Sequence, residues 1–553
     1  MKIRPIHFVH RGRVVSVDSS APDRTVLEWL REDAHCTGTK EGCAEGDCGA
    51  CTVIVAELDP EINPARVDGL RLQAINSCIR FLPTLDGKAL ITVEDLACGQ
   101  DLHPVQQAMV NCHAAQCGFC TPGIVMSLTA GYERHCEAGT LPSRRQVADD
   151  LAGNLCRCTG YRPILDAALK SFDLPRTRLD TAGTVALLKD LSGAPALCYE
   201  TLHPAAGSTK GRFFAPRTLD DLAQLYEQMP KASLLAGSTD MGLWVTKQLR
   251  ELGDVLYLGD VAALQRIELQ ERGLLIGAGA SLEAAWSALV VQWPELREIW
   301  LRFAGPTIRY AGTMGGNVAN GSPIGDSAPV LMALNAQLVL RKGPLERTLP
   351  LDEFYLGYRR NQLQPGEFLQ AIFVPERAKN TMLRVWKISK RYDCDISAVC
   401  AAFSIRLEQE TVSEVRFAFG GMAPTVKRAH HAERAALGQG WSQATAQAVA
   451  NGLALDFDPI SDLRATQAYR LQAARSLLQR LWLQTRPDAP LSDADSTVWG
   501  VVATLPSSVA LDGSATGATV TTGTTGVTGA AGTTGASGAT GATQASNAGM
   551  KWQ

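Results

Sequence analysis

Glu41-Gly42-Cys43-Ala44-Glu45-Gly46-Asp47-Cys48-Gly49-Ala50-Cys51 places three thiols at C-x4-C-x2-C, and Cys78 follows after 26 intervening residues. This is the spacing that holds a plant-type [2Fe–2S] cluster. Thiolates are soft ligands suited to iron–sulfur chemistry. The interleaved glycines let such a loop turn tightly, some at positive φ, and aim N–H groups at negatively charged sulfides. A structural zinc site is the alternative, but zinc sites usually pair C-x2-C units, for which an x4 plus x2 triple is atypical.

The flanking residues give this loop a small mixed α/β domain. Apolar and polar residues alternate at the start (Ile6, Phe8, then Val14, Val15, Val17), and a helical pattern follows at Val26-Leu27-Glu28-Trp29-Leu30. Cys51–Val55 and Ala89–Val93 read as strands. From about residue 104 the pattern turns helical. Pro104 opens one helix, Thr121-Pro122 reads as an N-cap with proline at the first helical position, and further helices follow Ser143 and Pro163.

This helical stretch carries a second set of thiols. Gln116-Cys117-Gly118-Phe119-Cys120 and Cys156-Arg157-Cys158 form C-x2-C and C-x-C, with 35 residues between the pairs. By spacing alone the four could hold zinc or a cluster. Both pairs are expected at helix starts, where N–H dipoles stabilise thiolate charge. Cys36, Cys98, Cys112 and Cys136 fit neither pattern and read as buried or half-buried free thiols.

Residues 175–212 lack periodicity and read as a linker. Strands and helices with Gly-rich turns then alternate to about 380. A smaller α+β segment closes on an amphipathic helix at about 465–482. Two turns stand out: Leu234-Leu235-Ala236-Gly237-Ser238-Thr239-Asp240, and Gly312-Thr313-Met314-Gly315-Gly316-Asn317 leading to Asp326. Small residues there let backbone N–H groups approach a pyrophosphate, and an acidic neighbour suits a ribose hydroxyl. Neither turn is a GxGxxG, and the near-match at Gly277-Ala278-Gly279 reads as a strand end.

Bulk properties narrow the class. At 553 residues the chain has room for three or four domains. A net charge of -3 offers no basic field for nucleic acid. No signal peptide or membrane span is expected. Twelve of the fifteen cysteines precede residue 160, which suits metal ligation in a reducing, cytoplasmic setting better than a disulfide framework. The Gly/Ala/Thr/Ser-rich end has side chains too small to bury a core and is expected to be disordered.

The strings GCAEGDCGAC at 42–51, QCGFCTPG at 116–123 and GNLCRCTGYRPI at 153–164 resemble the iron–sulfur region of the xanthine dehydrogenase family of molybdenum hydroxylases. The two Gly-rich turns resemble that family's FAD-binding domain, in the expected order. The resemblance runs over about residues 5–485. It implies a multidomain α+β chain: a β-grasp [2Fe–2S] ferredoxin domain at 1–92, a helical [2Fe–2S] domain at 93–174 and the linker at 175–212. An FAD-binding domain like that of vanillyl-alcohol oxidase follows at 213–380. A CO-dehydrogenase-flavoprotein-like domain spans 381–488, and the low-complexity tail 489–553.

The resemblance also implies roles. Cys43, Cys48, Cys51 and Cys78 hold one [2Fe–2S] cluster. Cys117, Cys120, Cys156 and Cys158 hold the one nearer the molybdenum, and Gln116 touches the pterin. Residues 234–240 and 313–317 hold the FAD pyrophosphate and Asp326 the ribose. Phe303 lies near the flavin ring, and Leu369 and Lys387 are further FAD contacts. Residues 387–397 resemble a mobile loop beside the flavin that influences NAD access. Pro459–Arg470 reads as helix capping and packing.

Single-chain relatives continue into a molybdenum-binding region. This chain therefore resembles the small subunit of a two-gene bacterial member, with a molybdenum-cofactor-binding large subunit as partner in an α2β2 assembly. The implied path runs from molybdenum through the Cys117 set, then the Cys43 set, to FAD and NAD+. No catalytic acid or base for purine chemistry is expected in this chain.

Overall fold

The alternating apolar residues at the N-terminus form a hairpin, Ile6–His10 with Arg13–Val17, paired from Ile6 opposite Val17 to His10 opposite Arg13. In the computed structural model, which describes residues 2–59, 66–202 and 210–496, this hairpin joins a six-stranded sheet. The order is Arg13–Val17, Ile6–His10, Ala89–Ile91, Thr52–Leu58, Leu70–Asn76, Arg66–Val67. Ile6–His10 and Ala89–Ile91 run parallel, and the other pairings are antiparallel. The helix Val26–Glu32 starts at a capping box in which Thr25 and Glu28 satisfy each other's backbone N–H groups. It buries Val26, Leu27, Trp29 and Leu30. This is the β-grasp layout.

The helical domain follows as Pro104–Asn111, Thr121–Ala138, Arg144–Asp150 and Arg162–Lys170. Ser143 caps its helix by accepting from the Gln146 N–H. The cap of the long helix is Cys120 rather than Thr121, with Pro122 in the first turn and Gly139 in the left-handed conformation at the far end. Only Cys120 of the second thiol set therefore sits at a helix start. Cys156 and Cys158 lie in a loop that ends before Tyr161, the N-cap of the next helix.

Within the stretch 175–212, read as a linker, the described residues 175–202 and 210–212 carry regular structure. They hold the helix Thr181–Ser192, whose first turn is capped by Asp180. That helix buries Leu188 among core residues of the ferredoxin and helical domains. The strand Leu197–Leu202 then pairs with Lys210–Ala215 in the first flavin-domain sheet. Only Thr181 and Leu188 are buried in the helix, too few for an apolar stripe to stand out in the sequence.

Two sheets form the next domain. One orders Leu197–Leu202, Lys210–Ala215, Val255–Tyr257 and Ser233–Leu235, with the last three parallel. The other is antiparallel: Ile267–Gln270, Gly273–Gly277, Phe368–Pro375, Gln337–Lys342, Leu345–Pro350. Gly277 ends its strand, as the sequence suggests. The last domain is a sheet led by Thr381–Ile388, Val399–Glu408 and Thr411–Gly420, covered by the helices Gln443–Asp456 and Gln467–Thr485. Arg470 of the closing helix is buried and donates to the carbonyls of Ala398 and Gly421 and to Asp462. The segment 459–470 is thus capping and packing.

The four domains form one compact unit. Ferredoxin residues Ile6, Phe8 and Trp29 share a core with Tyr199, Phe213 and Tyr257 of the flavin domain. No helix among the described residues is long and apolar enough to cross a membrane. The tail expected to be disordered lies outside the described residues beyond Ser496.

Candidate functional site

Strand pairing assembles the first thiol set. Thr52 lies opposite Asn76 in adjacent antiparallel strands, so Cys51, just before one strand, and Cys78, just after the other, meet at the same edge. The Ser77 N–H and hydroxyl both donate to the Cys51 carbonyl, at 3.3 and 2.7 Å. The loop carries Cys43 and Cys48 over this edge, with the Cys48 N–H donating to Cys43 Sγ at 3.4 Å. The four thiols are linked to one another, Cys43 to Cys48 and Cys78, and Cys78 to Cys51. Cys43 is held below the ordinary thiol range by hydrogen bonds from Cys48 and Cys78, and Cys51 by one from Cys78. Cys48 and Cys78, as the donors, are raised. Cys51 and Cys78 are buried, while Cys43 and Cys48 are half-buried.

The second set forms two pairs. The Phe119 N–H and then the Cys158 thiol hold Cys117 low. Burial, with Cys156 beside it, pushes Cys120 up to about 12. Burial opposes ionisation of Cys156, but hydrogen bonds from the Thr159 hydroxyl, with its oxygen 3.2 Å from the sulfur, from the Thr159 and Cys158 backbone and from Cys120 together outweigh it. Cys117 and Cys158 are exposed, as is Gln116. This half of the set faces outward.

Among the described residues no group of three or more His, Cys, Asp or Glu gathers as a site for a metal ion, and all fifteen cysteines are free. Four thiols drawn into one hydrogen-bonded run suit a pair of bridged irons, each held by two thiolates. The donor sets therefore fit [2Fe–2S] clusters. Of the cysteines outside both sets, Cys36 is buried and Cys112 and Cys136 are half-buried. Cys98 is exposed, unlike the sequence expectation, because it lies in a tight surface turn whose backbone pairs with Asp101.

The two flavin turns come together. A Cβ on Gly237 would overlap the Ala311 carbonyl oxygen, and one on Gly312 would lie 3.3 Å from Thr239 Oγ1. Asn320 donates to Asp240 at 3.1 Å. Leu234 and Leu235 belong to the strand leading into the first turn, and Ala236 faces Gly316 across the gap. Thr313 caps the helix Met314–Asn320, accepting from the Gly316 N–H. Met314 is buried, and a Cβ on Gly315 would overlap Ala278. Two buried polar atoms here, Ser238 Oγ and Asn317 Oδ1, have no partner. Uncompensated burial of polar atoms is costly, and a pyrophosphate with its bound water would satisfy both. The turns fit FAD.

The other expected flavin contacts also have partners within the protein. Asp326 is buried with both carboxylate oxygens engaged, by Lys387 Nζ at 2.5 Å and Ser397 Oγ at 2.6 Å. The sequence offered Asp326 and Lys387 as separate contacts, and the fold makes them an ion pair. Phe303 packs beside Trp286, ring centroids 6.1 Å apart. Leu369 is buried in the core, opposite Leu340 in the sheet. The loop after Lys387 is held down: Arg302 donates to the Tyr392 carbonyl and its guanidinium lies 4.5 Å from the Tyr392 ring centroid.

A cleft of about 180 Å³ joins these parts. Glu45, Gly46 and Asp47 of the first thiol loop, Gly153 of the second, Thr239 and Thr307 of the flavin domain and Cys394 line it. The Thr307 hydroxyl is buried without a partner. Burial, then the charge of Glu45, raises the Asp47 carboxyl. The sequence singled out Asp47 only as part of the first thiol loop and Cys394 only as part of the 387–397 loop, and it assigned nothing to Thr307.

Comparisons with known proteins match the chain domain by domain. Residues 8–81 match the 2Fe-2S iron-sulfur cluster binding domain and 92–169 the [2Fe-2S] binding domain. Residues 208–377 match the FAD binding domain in molybdopterin dehydrogenase, and 384–485 the CO dehydrogenase flavoprotein C-terminal domain. The four-domain layout matches that of the iron–sulfur and flavin chains of xanthine and CO dehydrogenases. The chain is 33% identical to the xanthine dehydrogenase of Emericella nidulans over 93% of its own length and 41% of that protein's. It is 31% identical to aldehyde oxidase 4 of Cavia porcellus over 79% of its length and 36% of that protein's. It thus spans well under half the length of these relatives. Among solved structures, a chain of the carbon monoxide dehydrogenase from Hydrogenophaga pseudoflava is 29% identical, with a TM-score of 0.46 over 48% of this chain and 94% of that one.

Proposed function

We propose that this chain is the iron–sulfur and flavin subunit of a bacterial, NAD-dependent xanthine dehydrogenase. In this reading a large partner subunit, in an α2β2 assembly, holds the molybdenum cofactor that oxidises hypoxanthine and xanthine to urate. Electrons enter at the Cys117 set, pass to the Cys43 set, and leave through FAD to NAD+. Bound here, the clusters supply one-electron transfer and FAD links it to two-electron hydride transfer.

The observation that carries the reading is the order of the sites. The Cys117 set opens to the surface beside exposed Gln116, Phe119 and Leu155. The Leu155 N–H donates to the Cys48 carbonyl at 2.9 Å, joining the Cys156 loop to the first set. The first loop then borders the cleft that Thr239 of the flavin turns also lines. The chain's part is to fix these distances and to hold thiolates through N–H and hydroxyl donors. We propose Gln116 as the pterin contact and 234–240, 313–317, Phe303, Asp326, Leu369 and Lys387 as the FAD-binding residues. With fifteen free thiols, a cytoplasmic location suits it.

A second reading, a molybdenum hydroxylase acting on aldehydes, draws on the likeness to aldehyde oxidase 4. The deciding experiment assays iron, flavin and molybdenum in the purified chain, alone and with co-expressed partners, and then turnover of xanthine and aldehydes with NAD+. About four iron atoms, two per cluster, with one FAD and molybdenum present only alongside a large partner, support the proposal. Turnover of aldehydes alone selects the second reading. Molybdenum absent with every partner would overturn both readings, leaving a stand-alone carrier.

A further inference from the structure

We propose that Asn154 is the positioning residue that holds the two thiol loops at one fixed spacing, and that its donated hydrogen bonds set the contact between the groups they bind. This rests on the reading that both thiol sets hold clusters. Asn154 stands two residues before Cys156 and is 2% exposed. Its side-chain nitrogen donates to the Gly49 carbonyl and to Thr52 Oγ1, both at 3.2 Å, and its oxygen accepts from Ser127 Oγ at 2.7 Å. Thr52 in turn donates to the same Gly49 carbonyl at 2.7 Å.

These partners are not arbitrary. Gly49 adjoins Cys48, Thr52 adjoins Cys51, and Ser127 lies on the helix that Cys120 caps. One carboxamide therefore ties three thiol-bearing elements together. A side chain that must donate twice and accept once at this site has to be an amide, because a carboxylate only accepts and a hydroxyl donates once. The neighbouring glycines let the backbone close in around this side chain. A Cβ on Gly49, where φ is +70°, would sit 2.6 Å from Asn154 Nδ2, and a Cβ on Gly123 would overlap the Gly49 carbonyl. Next to Asn154, the Leu155 N–H donates to the Cys48 carbonyl at 2.9 Å. That bond depends on the loop staying where Asn154 pins it.

The test uses the holoprotein co-purified with its partners, reduced with dithionite, and low-temperature spin resonance. Two reduced clusters at fixed short separation split each other's signals. Asn154→Asp, which keeps the bond from Ser127 and loses both donations, and Asn154→Ala should each retain iron and FAD yet lose or narrow that splitting. Ser127→Ala, which frees the carboxamide to rotate without touching either thiol loop, should shift it in the same direction and carries the test where the Asn154 variants fail to fold. Full iron and FAD with unchanged splitting in Asn154→Asp, or in Ser127→Ala where that variant stands in, overturns the positioning role alone. Absence of either cluster signal in the unsubstituted protein overturns the role together with the functional reading beneath it.

Discussion

Lys88→Met tests how the ferredoxin domain is fastened to the flavin domain. The Lys88 ammonium is 7% exposed and spends all three donors, on the Thr84 carbonyl at 3.0 Å, Asp260 at 3.1 Å and the Tyr257 hydroxyl at 3.3 Å. Glu57 lies 3.7 Å away and is also bound by Arg71. Tyr257 and Asp260 belong to the flavin domain, so the cation is shared across the boundary. Burial works against its charge, but Asp260, Tyr257 and Glu57 together outweigh that and raise its pKa. Methionine fills the space of the stem and leaves half-buried Asp260 without its cation, a loss of about 3 kcal/mol. At a urea m-value of about 2–3 kcal/mol/M this lowers the midpoint by about 1–1.5 M. Asp260→Asn in the same background should return much of it, a coupling of about 2 kcal/mol in a double-mutant cycle. Additivity within about 0.5 kcal/mol would refute the shared-cation argument. The network also has a pH signature. Burial raises the Glu57 carboxyl, but Lys88 and then Arg71 bring it down to about 2 from 4.5. A depressed carboxyl stabilises fully above its ordinary value, so the contribution fades as pH falls from 4.5 towards 2. Glu57→Gln should flatten the acid limb of stability in that window.

Cys43→Ser should abolish one class of [2Fe–2S] spin-resonance signal and keep the other; loss of neither would remove Cys43 from the first set. Asp326→Ala strands Lys387 without its partner and should cost about 3–5 kcal/mol together with flavin retention. Full FAD occupancy and an unchanged melting temperature after dialysis would contradict it. Burial, with Asp393 beside it, pushes the Cys394 thiol up to about 11, so alkylation there should lag far behind exposed Cys98 at pH 8 and rise steeply above pH 10. Equal labelling at pH 8 would show that Cys394 is not held in the neutral form. Gly305→Ala places a Cβ 2.7 Å from the Ala152 carbonyl oxygen, whereas Gly193→Ala meets nothing. The first should cost about 1–3 kcal/mol and the second should be near neutral, and equal melting temperatures would argue against close backbone contact at Gly305.

What the sequence made legible was whatever depends on short spacing. The C-x4-C-x2-C loop, the helical pattern at Val26–Leu30, the helix start after Ser143 and the strand flanking Cys51 are all encoded within a few residues. Cys78 was singled out because it completes a spacing, and strand pairing brings it to the same sheet edge as Cys51. Contacts made at long range were not legible. Lys88 and Asp260 are 172 residues apart, and Asn154 meets Gly49 across 105. Asp326 and Lys387 were each singled out, but nothing local says that one neutralises the other. The helix Thr181–Ser192 escaped because it packs through so few side chains. The Cys98 thiol escaped because a tight turn leaves no periodicity from which to judge its exposure.

The close packing of backbone at each junction bears on why the spacing between sites should be reproducible. Gly123 meets the Gly49 carbonyl where the helical domain touches the first thiol loop, and Gly305 meets Ala152 and Gly153 where that domain touches the flavin domain. Gly237 meets Ala311 where the two flavin turns meet. Side chains between domains can change rotamer and let loops drift by an ångström, but backbone packed on backbone has no such freedom. Transfer between redox groups depends on separations fixed by the protein rather than on any reacting side chain, so this chain places glycine at contacts where ferredoxin-like, helical and flavin elements converge. The hydrogen bonds of Asn154 and the Lys88 cation then act on a geometry that is already close, holding it against opening rather than creating it. Substituting those polar residues should loosen the joints, whereas enlarging the glycines should displace whole loops, and the two kinds of variant are separable by whether iron and flavin stay bound.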